Sequence, residues 1–146
     1  MPSPCAQATG IAVNDECISL FNDFKLQKGD GALRYITFKI EGDSEIVIDE
    51  KGAREKTYDD FSASVQAADG PRYGVVDVDF QTADGRDNSK IVFISWVPDT
   101  AKIKQKMVYS GSKDALKRVL LGIMVEMNAT DASELDFETC LLPKLR

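Results

Sequence analysis

Histidine is absent from all 146 residues. That absence removes Ser-His-Asp and Cys-His catalysis together with any imidazole metal site. Cysteine is scarce: Cys5, Cys17 and Cys140 are widely spaced and form no C-x-x-C pair. Neither a disulfide framework nor a zinc site is indicated, and reduced thiols in a cytosolic protein are expected. No apolar run approaches the roughly 20 residues that span a bilayer. The start "MPSPCAQATG" has neither the basic region nor the apolar core of a signal peptide, so an intracellular protein is expected. Phosphate loops of the G-x-G-x-x-G or G-x-x-x-x-G-K-[ST] kind are also missing, because "GDG" (29–31) and "ADGR" (83–86) fall at turns.

What is present describes one ordinary globular domain. At about 150 residues, folding buries roughly 70% of the unfolded surface, enough for one core. The chain is 43% hydrophobic and 29% charged, without low-complexity runs. Its 24 acidic and 18 basic residues leave a net charge of -6, which disfavours sequence-independent nucleic-acid binding by the whole surface. An anionic partner would have to meet a local patch.

Local patterns suggest the elements. Residues 1–9, with Pro2 and Pro4, read as an arm. Asn14 and Asp15 are cap candidates for a helix carrying Ile18, Leu20, Phe21 and Phe24, and "GDG" stops it. "LRYITFKI" and "EIVIDE" read as a strand pair. Thr57 with Asp60 makes a capping box ahead of Phe61 and Val65. "RYGVVDVDFQT" alternates, "KIVFISWVP" is apolar almost throughout, and Arg86 and Lys90 would project from the hairpin tip between them. The stretch 99–121 reads as two helical pieces jointed at Gly111, with Ser112 capping the second. "GIMVEMNAT" reads as a fifth strand. Asp131 with Glu134 opens a last helix that Pro143 ends early. Strands separated by helices imply an α/β (α+β) fold, one sheet with helices on both faces.

Asp77 and Asp79 share one strand face, where paired carboxylates could serve acid-base work or hold a metal. With no third ligand at helpful spacing, a solvated strand face is the better reading. The basic stretch is more informative. Lys102, Lys104, Lys106, Lys113, Lys117 and Arg118 surround the single acid Asp114. Like charges four residues apart cost roughly a few tenths of a kcal/mol per pair. Ile103, Met107, Val108 and Tyr109 lie among the cations, more apolar surface than one buried side needs. A solvated helix face is the bland alternative. The mixture fits a helix that docks into an acidic, partly apolar protein groove, with anionic lipid headgroups and nucleic acid as competitors.

The chain resembles the actin-depolymerising factor and cofilin family from Gly10 to about Leu141. The resemblance is carried by "TGIAV", "RYITFKI", "YDDF", "RYGVVDVDF" and "GIMVEMNATDASEL". Most specific is "KIVFISWVPDTAKIKQKMVYSGSKDALKR", with W-x-P-D, K-M-x-Y and S-K-D-A-hydrophobic-K-R in order. It implies a single domain over residues 10–142, a mixed five- or six-stranded sheet sandwiched by helices, and a 143–146 tail. It also implies a non-enzymatic, monomeric, cytoplasmic and cytoskeleton-associated protein, with a nuclear location left open. The implied partner is actin, as monomer and filament. The monomer-binding face would comprise Gly10, Ile11, Lys104, Lys106, Met107, Ser112, Lys113, Lys117 and Arg118. Family members prefer ADP-actin, slow its nucleotide exchange, twist filaments and sever them.

The same resemblance places Thr9 where the family carries its regulatory serine, with Ser3 further out. A phosphate there adds about two negative charges and would oppose docking on an acidic partner; an unmodified arm is the alternative. Phosphoinositides would compete through the same lysines. The filament side would use Arg86, Lys90, Lys144 and Arg146. Asn88 stands where a basic residue is common, and Leu142 and Pro143 replace a charged pair. Intact monomer binding with weakened filament binding and severing is therefore expected. A mainly sequestering, phosphoinositide-regulated module is the other reading.

Overall fold

The computed structural model describes residues 11–42, 44–68 and 70–145. Arm positions Ser3, Thr9 and Gly10, and Arg146 at the other end, lie outside the described residues. A short strand β1 (Ala12–Val13) leads into helix α1 (Asp15–Leu26) and a 3-10 turn over Gly29–Gly31. Strands β2 (Leu33–Glu41) and β3 (Glu45–Ala53), helix α2 (Tyr58–Ala67), and strands β4 (Arg72–Gln81) and β5 (Asp87–Trp96) follow. The chain then forms helix α3 (Ile103–Val119), strand β6 (Val125–Ala129), two short turns and a final turn α4 (Leu142–Leu145). The strands make one six-stranded sheet in the order β1-β3-β2-β4-β5-β6. The centre is antiparallel, and the β1–β3 and β5–β6 pairs at the two edges are parallel.

Local chemistry sets the early elements. Asn14 caps α1 by accepting from the Glu16 N–H at 2.8 Å. Thr57 and Asp60 close a reciprocal capping box on α2. Side-chain alternation then divides the core between the two faces of the sheet. Phe21 and Phe24 of α1 and Leu116 and Leu120 of the α3 region pack with Ile36, Phe38, Tyr73 and Phe93 on one face. Tyr58 and Phe61 of α2, with Leu135, Leu141 and Leu145, pack with Val76, Val92, Ile94 and Trp96 on the other. The β5 residues Val92 to Trp96 are all buried, as an apolar central strand requires. Gly74 is needed in β4, because a Cβ there would lie 2.3 Å from the Phe61 ring.

Three local expectations fail where packing outweighs propensity. First, α3 runs unbroken through Gly111, and Ser112 is a fully buried mid-helix residue rather than a cap. A helical glycine costs about 1 kcal/mol, less than the gain from seating Tyr109, Ser112 and Leu116 at helical spacing on the sheet. Second, no reciprocal box forms at Asp131: its side chain accepts from the Ser133 and Glu134 N–H groups, Glu134 accepts instead from the Thr130 N–H, and the element is only a 3-10 turn, Ala132–Leu135. Asp136 then caps a wide π turn, Phe137–Leu141. Third, Pro143 does not end the last helix: Phe137–Leu141 runs straight into α4, and Pro143 lies within that continuous helical segment. Leu145 is only 1% exposed, so the segment placed beyond the domain as a tail contributes a core side chain. The sixth strand, β1, was too short for a periodicity signal.

Candidate functional site

The inner side of α3 is fixed to the sheet at its midpoint. The Ile40 N–H donates to the Tyr109 hydroxyl at 2.9 Å, and the Tyr73 hydroxyl donates to the Tyr109 carbonyl. The Tyr73 and Tyr109 rings lie 5.2 Å apart. With Tyr109, Ser112, Ala115 and Leu116 buried, the opposite stripe is forced outward.

That stripe carries exposed Ile103, Lys104, Met107, Ser110, Gly111, Asp114 and Arg118, and it continues to Leu121 just past the helix. Ile103 is 75% exposed and Met107 69%, one turn apart at the N-terminal end. Large apolar side chains set among cations on a helix whose other side is already packed form the kind of surface that another protein covers.

The structure sorts the nine expected monomer-face residues into separate environments. Lys104, Met107 and Arg118 are on the outer stripe. Lys106 and Lys113 are half-buried and line, with Ser110, Asn128 and Thr130, a cleft of about 330 Å3 between α3 and β6. Lys117 lies one turn beyond Lys113 on the same flank. Ile11 and Ser112 are buried at 2% and 0% exposure and support the surface from beneath. Gly10 lies outside the described residues.

Sequence reading missed Glu126 and Asn128 of β6, which alternate with buried Met127. Glu126 pairs with Lys113 at 3.1 Å and with Lys117, and Lys113 also donates to Asn128 at 3.0 Å. Partial burial pushes the Glu126 carboxyl up, but hydrogen bonds from Lys117 and Lys113 outweigh it and hold the group below the ordinary glutamate value. The α3 cations are therefore not opposed by Asp114 alone.

The hairpin side also differs from expectation. Arg86 is exposed at the β4–β5 tip and pairs with Asp84 at 3.1 Å. Lys90 does not project from that tip: it pairs with Val78 within the β4–β5 ladder, and its ammonium donates to the Leu145 carbonyl at 2.9 Å. It also lies 5.8 Å from the Phe80 ring centre. Asn88 opposite Phe80 and Lys144 on α4 are exposed. Asp79 stays solvent-exposed, as a solvated strand face requires, whereas Asp77 is largely covered, and both carry an ion pair. Arg54 holds Asp77 at 2.7 Å and Arg34 holds Asp79 at 3.1 Å, two cations brought in from the β2–β3 hairpin region. Among the described residues, no group of three or more Cys, Asp or Glu side chains is placed to hold a metal ion, and no helix is long and apolar enough to cross a membrane.

Comparison with known proteins agrees with this architecture. Residues 10–142 match the family described as cofilin/tropomyosin-type actin-binding protein. Actin-depolymerizing factor 6 of Oryza sativa subsp. japonica is 48% identical over 132 residues, covering 90% of this chain and 92% of that protein. Actophorin of Acanthamoeba castellanii is 44% identical over 128 residues, covering 87% of this chain and 89% of its own. The crystal structure of Streptomyces griseoflavus cofilin superposes with a TM-score of 0.77 at 38% identity, covering 88% of this chain and 92% of that one. A sheet curled between two helical layers, the length of the match and the residues of α3 all point the same way: this chain belongs to the actin-depolymerising factor and cofilin family.

Proposed function

We propose that this protein binds monomeric actin through the outer face of α3 and promotes filament depolymerisation. The observation that carries the reading is the joint exposure of Ile103 and Met107 beside Lys104 on a helix locked to the sheet from behind. Such a face supplies apolar contact area at its centre and positive charge at its rim, complementary to an acidic, partly apolar groove. Relatives named for actin depolymerisation support the choice of partner. The action is binding rather than catalysis. A preference for ADP-actin, slowed nucleotide exchange, filament twisting and severing belong to the same reading. So do a monomeric state, a cytoplasmic and cytoskeletal location that leaves the nucleus open, competition by phosphoinositides, and control by a phosphate at Thr9 or Ser3.

A second reading has a specific observation behind it. The Lys90 ammonium is engaged by Leu145, leaving Arg86 and Lys144 as the described cations of the filament side. This favours a protein that sequesters monomers, under phosphoinositide control, more than it severs. Nucleotide exchange on monomeric actin, run beside filament cosedimentation and imaging, separates the two. Slowed exchange with weak pelleting supports sequestration, slowed exchange with severing supports the first reading, and no effect in either assay rejects actin as the partner.

A further inference from the structure

Two lysines on the α3 flank already have a partner, and it comes from a different element. We propose that Glu126 sets the strength and selectivity of the docking face: its carboxylate occupies, between Lys113 and Lys117, the seat that a carboxylate of the bound protein would take. Docking then exchanges one carboxylate for another. This inference rests on the reading of α3 as the monomer-binding helix, and it names the chemistry that the flank accepts.

The seat is built rather than incidental. Met127 is 2% exposed, and β6 pairs with β5 in a parallel register that sets Glu126 opposite Phe93, so the carboxylate rises from a strand rather than a loop. One Glu126 oxygen meets Lys113 and the other meets Lys117. The side chains of Lys113, Lys117 and Glu126 keep 24%, 32% and 28% exposure, so an incoming group can reach all three. Asn128 accepts from Lys113 at 3.0 Å, and its amide donates at 3.4 Å to the Glu126 oxygen that Lys113 meets. A two-oxygen fork across two ammonium groups is replaced in kind by another carboxylate. The cluster carries one net positive charge, so the exchange keeps attraction for an acidic partner but discounts it. Lys106, two turns before Lys113 on the same wall of the cleft, makes no ion pair among the described residues and is available without exchange. The basic face is thus graded: Lys106 acts at once, whereas Lys113 and Lys117 act only when Glu126 yields.

The test uses the full chain as wild type, E126Q, K117A and the E126Q/K117A double variant, with affinity for monomeric actin measured at low and moderate salt. E126Q is expected to tighten binding about two- to fivefold, the worth of one partly exposed charge pair, and to steepen its salt dependence. K117A alone is expected to weaken binding less than about twofold, and in the E126Q background to remove most of the gain. Weaker binding by E126Q, or an equal cost of K117A in both backgrounds, would overturn the proposal. A K104A/M107A variant separates the two levels. If it loses binding while E126Q changes nothing, the α3 reading stands and the exchange falls; if it binds like wild type, the α3 reading itself fails.

Discussion

The Lys90 ammonium donates to the main-chain carbonyl of Leu145 at 2.9 Å, tying the middle of β5 to the end of α4 across 55 residues of sequence. Leu145 is buried beneath this contact, and the Phe80 ring lies against the same lysine. Replacing Lys90 by Met keeps the stem and deletes the donor. It should cost about 1 kcal/mol, a charge-assisted hydrogen bond discounted for its partial exposure. Denaturant unfolding measures this, and hydrogen exchange near Leu145 should accelerate while the α1 amides stay unchanged.

Tyr109 is the pivot of α3. Y109F leaves the Ile40 N–H without its acceptor at a half-buried site, so a loss of about 1–3 kcal/mol is expected. Y73F should cost less, because the Tyr109 carbonyl it deserts lies within a helix and retains its place in the main-chain ladder. Chemical denaturation of both variants checks the order.

Stability should be flat between pH 6 and 8, since no histidine is present to titrate. The Glu126 carboxyl is held below its ordinary value of 4.5 by its lysines. A depressed acid contributes stability above the unfolded value and loses it as pH falls through the folded one. Stability should therefore drop on acidification below the ordinary glutamate range, and E126Q should flatten part of that drop. At the alkaline end, burial pushes the Cys17 thiol up to about 12. Its stabilising effect is complete below the ordinary value of 9.0 and fades as pH rises above it. Unfolding curves across pH, with thiol labelling of Cys17 as a second readout, test both arms; fast labelling of native Cys17 at pH 8 contradicts the burial.

Exposed and buried residues of α3 should separate cleanly. I103A and M107A remove side chains that solvent already covers, so stability should change by less than about 0.5 kcal/mol. Actin affinity should fall about tenfold or more if they are central contacts. A bulky replacement at Ser112, which is fully buried, should do the reverse and lower stability first. Melting temperatures alongside monomer binding distinguish the two classes.

These contrasts show what the sequence could reveal. The α1 cap at Asn14, the Thr57–Asp60 box and the apolar β5 were legible because each is decided within a few residues. The continuity of α3 through Gly111 and of the last segment through Pro143 was not, since packing on the sheet overrides a local breaker. The Glu126 bridge to Lys113 and Lys117 and the Lys90 clamp on Leu145 were invisible for another reason. Their partners meet only after β6 takes its place beside β5 and the chain end folds under the hairpin. The charged face was therefore recognised as a whole, while the engagement of Lys113 and Lys117 by Glu126 required the fold.

The measurement that bears most directly on the central claim is the rate of nucleotide exchange on monomeric ADP-actin with wild-type protein and with the K104A/M107A variant, both confirmed folded. The account predicts that wild type slows exchange in a saturable manner and that the variant requires at least about tenfold more protein for the same effect. Equal slowing by the two proteins would contradict the assignment of the α3 outer face.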